Sequence, residues 1–246
     1  METKSYGYTH QGYFRQRNED SLLVQPERGL WVVCDGMGGH EAGDYASGWI
    51  VEQLSEVTLP PRVGGMVNTL KASLSECNHH LRKYAGANGL GQIGSTVALL
   101  VIHSDRAMVL WAGDSRVYRL RKGKLRQMTE DHSYARELAR NTGKELEDGQ
   151  PGSQAITRAV GASEELQLDC LVLEARPEDV WLLCSDGVSG SVSAEEMMEL
   201  LGSAEDPARA MVERALENGS RDNCTAISVH IQGSHLSAPS SSTEYM

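Results

Sequence analysis

The chain of 246 residues is long enough to bury a sizeable core, and 40% hydrophobic with 23% charged residues is an ordinary soluble globular composition. With 23 Lys and Arg against 34 Asp and Glu the formal net charge is −11, which excludes the broad basic surface of a nucleic-acid binder. The longest apolar run, residues 97–102, is far short of the ~20 residues of a bilayer span, and the opening Met1-Glu2-Thr3-Lys4-Ser5-Tyr6 has no apolar core of a signal peptide.

In chain order, residues 21–25 and 30–34 read as strands, short and rich in aliphatic residues. Residues 42–57 read as a helix. Met66, Leu70, Leu74, Cys77, Leu81 and Tyr84 then fall on one face at three- and four-residue steps, the mark of a long amphipathic helix. Residues 96–103, 107–112 and 117–121 are the next strands, and the last two flank the polar corner Gly113-Asp114-Ser115-Arg116 as a hairpin would. Two more strands follow at 168–173 and 180–184. Ser193-Ala194-Glu195-Glu196 is a capping box opening a helix through Leu201, and Asp206-Pro207 starts another that Gly219 ends. Residues 225–231 close the series as a strand.

Helices after the early strands and near the end, with strands between, suit an α+β fold of two stacked antiparallel sheets, a β-sandwich flanked by helices on both outer faces. Residues 1–232 show no composition break and read as one domain. Residues 233–246, with Ser-Ala-Pro-Ser-Ser-Ser-Thr, carry too little apolar surface to order themselves and read as a disordered tail. The five cysteines (Cys34, Cys77, Cys170, Cys184, Cys224) are odd in number and widely spaced without CxxC, which points to free thiols in a reducing cytoplasm rather than disulfides or zinc.

The chemistry lies in where the aspartates fall. Trp31-Val32-Val33-Cys34 runs into Asp35-Gly36, and Trp181-Leu182-Leu183-Cys184 runs into Ser185-Asp186-Gly187, a near-repeat. Asp114 follows another strand, Asp222-Asn223 precedes the last one, and Glu19-Asp20 stands before the first. One Asp-Gly alone is an ordinary hairpin signal. Several carboxylates converging at strand ends repel one another unless cations lie between them, and oxygen-only ligation selects Mg²⁺ or Mn²⁺ over zinc. A glycine after the acid lets a carbonyl approach an ion and frees φ for a sharp turn.

These residues resemble the metal-dependent serine/threonine protein phosphatases of type 2C, in their bacterial form. The resemblance runs in order through Gly12-Tyr13-Phe14-Arg15, Asn18-Glu19-Asp20, Asp35-Gly36-Met37-Gly38-Gly39, Gly94-Ser95-Thr96, Gly113-Asp114-Ser115-Arg116, Thr157-Arg158-Ala159-Val160-Gly161, Ser185-Asp186-Gly187 and Asp222-Asn223. It implies hydrolysis of protein phosphoserine and phosphothreonine by a metal-activated hydroxide between two Mn²⁺ or Mg²⁺ ions. Asp35 would bridge the ions with the Gly36 carbonyl on one, and Asp186 and Asp222 would complete the other, supported by Asn223. Glu19 and Asp20 would order metal-bound water, Arg15 would anchor the phosphate, and Asp114 with Asp186 would hold a third, weaker ion. The resemblance also implies a mobile flap at 132–155, phosphorylated protein substrates, an opposing bacterial Ser/Thr kinase and a monomer.

Two positions depart from relatives of this family. Met37 stands where many eukaryotic members have the histidine proposed as general acid, which leaves His40 as a candidate proton donor; a lone histidine beside a helix start is more often an ordinary surface residue. Gly190 stands where some relatives have another acid, which thins the third-ion site. Arg158 is read as structural, and His79, His80, His103 and His230 fit no metal spacing.

Two rival classes remain: a non-catalytic phosphoprotein-binding or sensor protein on the same fold, disfavoured by the intact acids, and a nucleotide-binding enzyme. Glycines 36, 38, 39 and 43 give neither G-x-G-x-x-G nor a P-loop.

Overall fold

In the computed structural model, which describes residues 1–38, 42–143 and 155–233, two antiparallel sheets lie face to face between helices. The strands are β1 (Thr3–His10), β2 (Asp20–Gln25), β3 (Leu30–Met37), β4 (Gly94–Ser95), β5 (Val97–His103), β6 (Arg106–Ala112), β7 (Arg116–Arg121), β8 (Lys124–Gln127), β9 (Asp169–Glu174), β10 (Val180–Cys184) and β11 (Cys224–Ile231). The helices are α1 (Ala42–Glu56), α2 (Val63–Ala87), α3 (Tyr134–Thr142), the single turn α4 (Asp186–Ser189), α5 (Ala194–Ser203) and α6 (Pro207–Glu217). One sheet runs β1-β11-β10-β7-β8 and the other β2-β3-β5-β6-β9, with β4 paired to β3.

Alternation along each strand explains the layers. On β3, Trp31 and Val33 point between the sheets, meeting Val117, Trp181, Leu183, Ile227 and Val229 of the opposite sheet. Leu30, Val32 and Cys34 point the other way, onto Ile50 and Leu54 of α1 and Leu70, Leu74 and Leu81 of α2. Leu182, Cys184 and Ala226 do the same on the far sheet against Met197, Leu201, Met211 and Val212 of α5 and α6. Central strands buried on both faces must be apolar at nearly every position, which is why they read as continuous runs. The α2 stripe is buried as expected from Met66 to Leu81. The capping box at Ser193 and Glu196 is formed, and Asp206 caps α6 through the Arg209 amide.

The expected hairpin at Gly113–Arg116 is not one. β6 belongs to one sheet and β7 to the other, so the corner carries the chain across the sandwich. Gly113 makes that crossing at φ 111°, with its Cα packed on Thr96, a position where a side chain would collide. Two edge strands, β1 and β8, are not among the expected strands because their sequences are polar; an edge strand has little apolar surface to show. All five cysteines are free, four of them buried. Residues 234–246 of the serine-rich tail and 144–154 of the flap lie outside the described residues, and no described helix is long and apolar enough to cross a membrane.

Candidate active site

The strand ends gather the acids at one mouth of the sandwich. Pairing of β2 with β3 sets Asp20 opposite Asp35, and Asp186 opens α4 directly after β10. Asp222 stands before β11, and Asp114 lies in the crossing between sheets. The buried Asp35 carboxyl feels the charges of Asp20, Asp186, Asp114 and Asp222 together.

Neither Asp-Gly is a hairpin. Asp35-Gly36 lies within β3, and Asp186-Gly187 begins a helical turn. Neither glycine has the left-handed φ expected of a sharp turn; both are needed for close backbone approach instead. A Cβ on Gly36 would run into the Gly43 carbonyl and the backbone of Glu19, and one on Gly187 would overlap the Asn223 carbonyl. The start of α1 is thereby pressed against β3, and the segment carrying Asp222 against α4.

Asp20, on β2, is held by the opposite sheet, at the end of β10 and the start of β11. Its Oδ2 accepts hydrogen bonds from Ser185 Oγ at 2.8 Å and Thr225 Oγ1 at 2.7 Å, while Oδ1 is buried with no partner. Asp114 and Asp186 also each bury an Oδ1 without a partner. Burial, with Asp186 and Asp222 nearby, pushes the Asp20 carboxyl up to about 7 against those two hydrogen bonds. Burial together with Asp186 and Asp131 pushes Asp114 to about 7 as well. Asp35 is driven well above the usual carboxylate range by burial and its acidic neighbours. Asp186 is raised by burial and by Asp222, and it lies within hydrogen-bonding reach of Asp35.

Arg15 Nη2 donates to Asp222 Oδ2 at 2.5 Å, and both side chains remain partly exposed at the mouth. Asn223 organises the segment that brings Arg15 there. Its Nδ2 donates to the carbonyls of Gln11 at 2.7 Å and Arg17 at 2.8 Å, and its Oδ1 accepts from the Glu19 amide at 2.9 Å. Glu19 reaches the N-terminal turn of α1, where the Gly43 amide offers it a hydrogen bond; burial raises its carboxyl. Its backbone carbonyl accepts from the Gly36 amide at 3.0 Å. His40 lies outside the described residues, and Met37, half-buried at the end of β3, has no proton to give.

Sequence reasoning missed a strap behind Asp114. His132 Nδ1 accepts from the Gly113 amide at 3.2 Å, and its own amide donates to the Gly113 carbonyl at 2.9 Å. Its ring stacks on Trp111 at 6.0 Å, and its Nε2 meets Asp169 Oδ2 at 3.2 Å, so Nε2 carries the proton. Burial lowers the imidazole pKa and favours this neutral form. Arg116 grips Asp131 through Nε and Nη2, the latter at 2.7 Å. Arg158 joins the same group through Asp169 at 3.2 Å, as a structural residue would. The polar run Asp131-His132-Ser133 ahead of α3 is the one signal for this strap in the sequence, and its last two residues open the expected flap at 132–155. Ser133 caps α3 by accepting from the Arg136 amide.

The donor set is all oxygen and contains buried carboxylate atoms that nothing in the protein satisfies, which fits hard divalent cations. Among the described residues, no three such side chains are closed into a preformed cage.

The protein phosphatase 2C family model matches residues 7–225. The serine/threonine phosphatase stp of Listeria monocytogenes is 33% identical over 234 residues, covering 90% of this chain and 93% of its own. Among solved structures, PppA, a key regulatory component of T6SS in Pseudomonas aeruginosa, is 40% identical with a TM-score of 0.85, covering 94% of this chain and 98% of its own. The catalytic domain of the phosphatase PstP, solved in complex with 2 manganese ions, is 29% identical with a TM-score of 0.83, covering 94% of this chain and 99% of its own. With its strand-end acids, its helix-flanked sandwich and these relatives, the chain belongs to the protein phosphatase 2C family, the metal-dependent serine/threonine protein phosphatases.

Proposed function

We propose that this phosphatase hydrolyses phosphoserine and phosphothreonine in proteins at a binuclear Mn²⁺ or Mg²⁺ centre held by Asp35, the Gly36 carbonyl, Asp186 and Asp222. A third, weaker ion would take Asp114 with Asp186. The observation that carries this reading is the set of four aspartates at the mouth, Asp20 buried and Asp35, Asp114 and Asp186 half-buried, none of which has an Arg, Lys or His within ion-pair distance among the described residues. When bound, the ions lower the pKa of coordinated water and neutralise charge on the phosphoryl oxygens.

The chain's own residues do the rest. Arg15, fixed by Asp222 through Nη2, has further N–H groups of its fork for phosphate oxygens, a geometry that guanidinium matches. Asp20, anchored by Ser185 and Thr225, presents its unpartnered Oδ1 as an acceptor for water at the mouth. Glu19 keeps the α1 end of the site in place through Gly36 and Gly43. The His132 strap sets the position of Asp114. The leaving-group proton then comes from water or from His40, since Met37 cannot supply it.

The buried free thiols suit a reducing cytoplasm, where a monomer would reverse a Ser/Thr kinase in a signalling pathway. Phosphate release from a phosphothreonine peptide at neutral pH, with Mn²⁺, with Mg²⁺ and with EDTA, tests the reading. Release that requires the metal and stops with EDTA is expected; none from folded protein in either metal would refute it.

A further inference from the structure

Tyr13 and Phe14 are 73% and 60% exposed, and they directly precede Arg15. Phe14 is the only phenylalanine in the chain. Burying apolar ring surface stabilises a fold, so folding alone gives no reason to turn both outwards. Nor is the segment loose. Asn223 ties it at Gln11, Arg17 and Glu19, Gln11 Nε2 donates to the Arg15 carbonyl at 2.7 Å, and the Gly12 amide donates to His10 Nδ1 at 2.9 Å. Gly12 sits at φ 79° with its Cα against the Asp222 carbonyl, a place closed to other residues. Tyr13 meets the His10 ring edge-on at 5.7 Å, and the Arg221 guanidinium lies over Phe14 at 5.2 Å. Two aromatics are thus held rigid and open to solvent beside the arginine assigned to the phosphate.

We propose that Tyr13 and Phe14 form a substrate rim that packs against a large apolar side chain lying within two residues of the phosphoresidue. This rests on the phosphatase reading above. A phosphoresidue whose phosphate reaches Arg15 must carry its flanking residues past the next side chains of the same segment. Exposed apolar pairs of this kind mark interaction surfaces, and aromatics fixed in advance lose little entropy on binding. Arg221 and Arg15 add local positive charge to a chain of net charge −11, which favours the phosphorylated segment over its dephosphorylated product. Tyr13 and Phe14 are specificity-determining residues in this scheme, not catalytic ones.

The test compares two phosphothreonine peptides, one with leucine and one with glycine at the two positions on either side of the phosphoresidue, under Mn²⁺. In the unaltered enzyme the ratio of kcat/KM, leucine over glycine, is expected to be about tenfold and to reside in KM, because flank packing is the same in ground and transition states. The double substitution Tyr13→Ser and Phe14→Ser is expected to bring the ratio below about twofold, and Phe14→Leu alone to keep most of it. Release from both peptides at a ratio near one, or a ratio unmoved by the double substitution, overturns the rim while leaving the phosphatase reading intact. No release from either peptide overturns that reading and the rim with it.

Discussion

Two kinds of buried aspartate share this sandwich. Asp179, whose side chain is wholly buried, accepts from Arg121 Nε at 2.5 Å and Nη2 at 2.6 Å and from the Arg176 amide at 2.9 Å. Asp131, at 10% exposure, is gripped in the same way by Arg116. Asp20 is buried and Asp35, Asp114 and Asp186 are half-buried, yet among the described residues no guanidinium or ammonium touches them, and three bury a carboxylate oxygen that has no partner. A buried charge that serves the fold carries its counter-charge within the chain. A buried charge that serves chemistry leaves the counter-charge to be supplied from outside.

The comparison breaks most sharply at Asp35. Asp35→Asn is expected to lower metal-dependent phosphate release by at least ~10³-fold while leaving thermal stability equal or higher, since it removes a charge the protein does not balance. Asp179→Asn is expected to do the reverse. It strands Arg121, lowers stability by about 3 kcal/mol in denaturant titration, and leaves turnover per folded molecule unchanged. If Asp179→Asn abolished release at full stability, the distinction between the two kinds would fail.

His132 sharpens the comparison, because it is neutral where Arg116 is charged. His132→Phe keeps an aromatic ring against Trp111 and loses the ring's bonds to the Gly113 amide and to Asp169, while the backbone bond to the Gly113 carbonyl stays. About 1–2 kcal/mol of stability should go, with faster amide hydrogen exchange at Gly113. Unchanged exchange there would show that the strap does not hold the Asp114 corner.

The smallest effect is a slope with pH. Asp20 and Asp114 sit at about 7 in the folded, metal-free chain against an ordinary value of 3.8. Their contribution to stability is therefore complete below about pH 4 and is lost as pH rises through about 7, because the unfolded chain ionises first. The metal-free protein should melt at falling temperature from pH 5 to pH 8, less steeply in Asp20→Asn, and Mn²⁺ should raise the melting temperature more at pH 8 than at pH 5. An identical slope in Asp20→Asn would remove that carboxyl from the balance.

The sequence shows the acids more clearly than their surroundings. Asp35 and Asp186 are legible because each ends a run buried on both faces, Trp31–Cys34 and Trp181–Cys184, and such runs are conspicuous. The central strands and both helix pairs follow from the same period-two and period-3.6 patterns. Edge strands β1 and β8 are not legible, since half of each faces solvent. The corner at Asp114 resembles a hairpin in sequence, because Gly-Asp-Ser between two strands does not say whether the second strand rejoins the first sheet. Partners separated by long stretches of chain, such as Asn223 with Arg17 or Asp20 with Thr225, leave no local trace at all.

The most direct measurement is a calorimetric titration of Mn²⁺ into EDTA-stripped, folded protein at pH 7.5, alongside Asp35→Asn. Saturable uptake of two ions per chain with release of protons, lost in Asp35→Asn, is the expected result, because the raised carboxyls must ionise as the ions enter. Folded protein that takes up no Mn²⁺, or that takes it up equally with Asp35 replaced, would contradict the assignment of these aspartates to a metal centre.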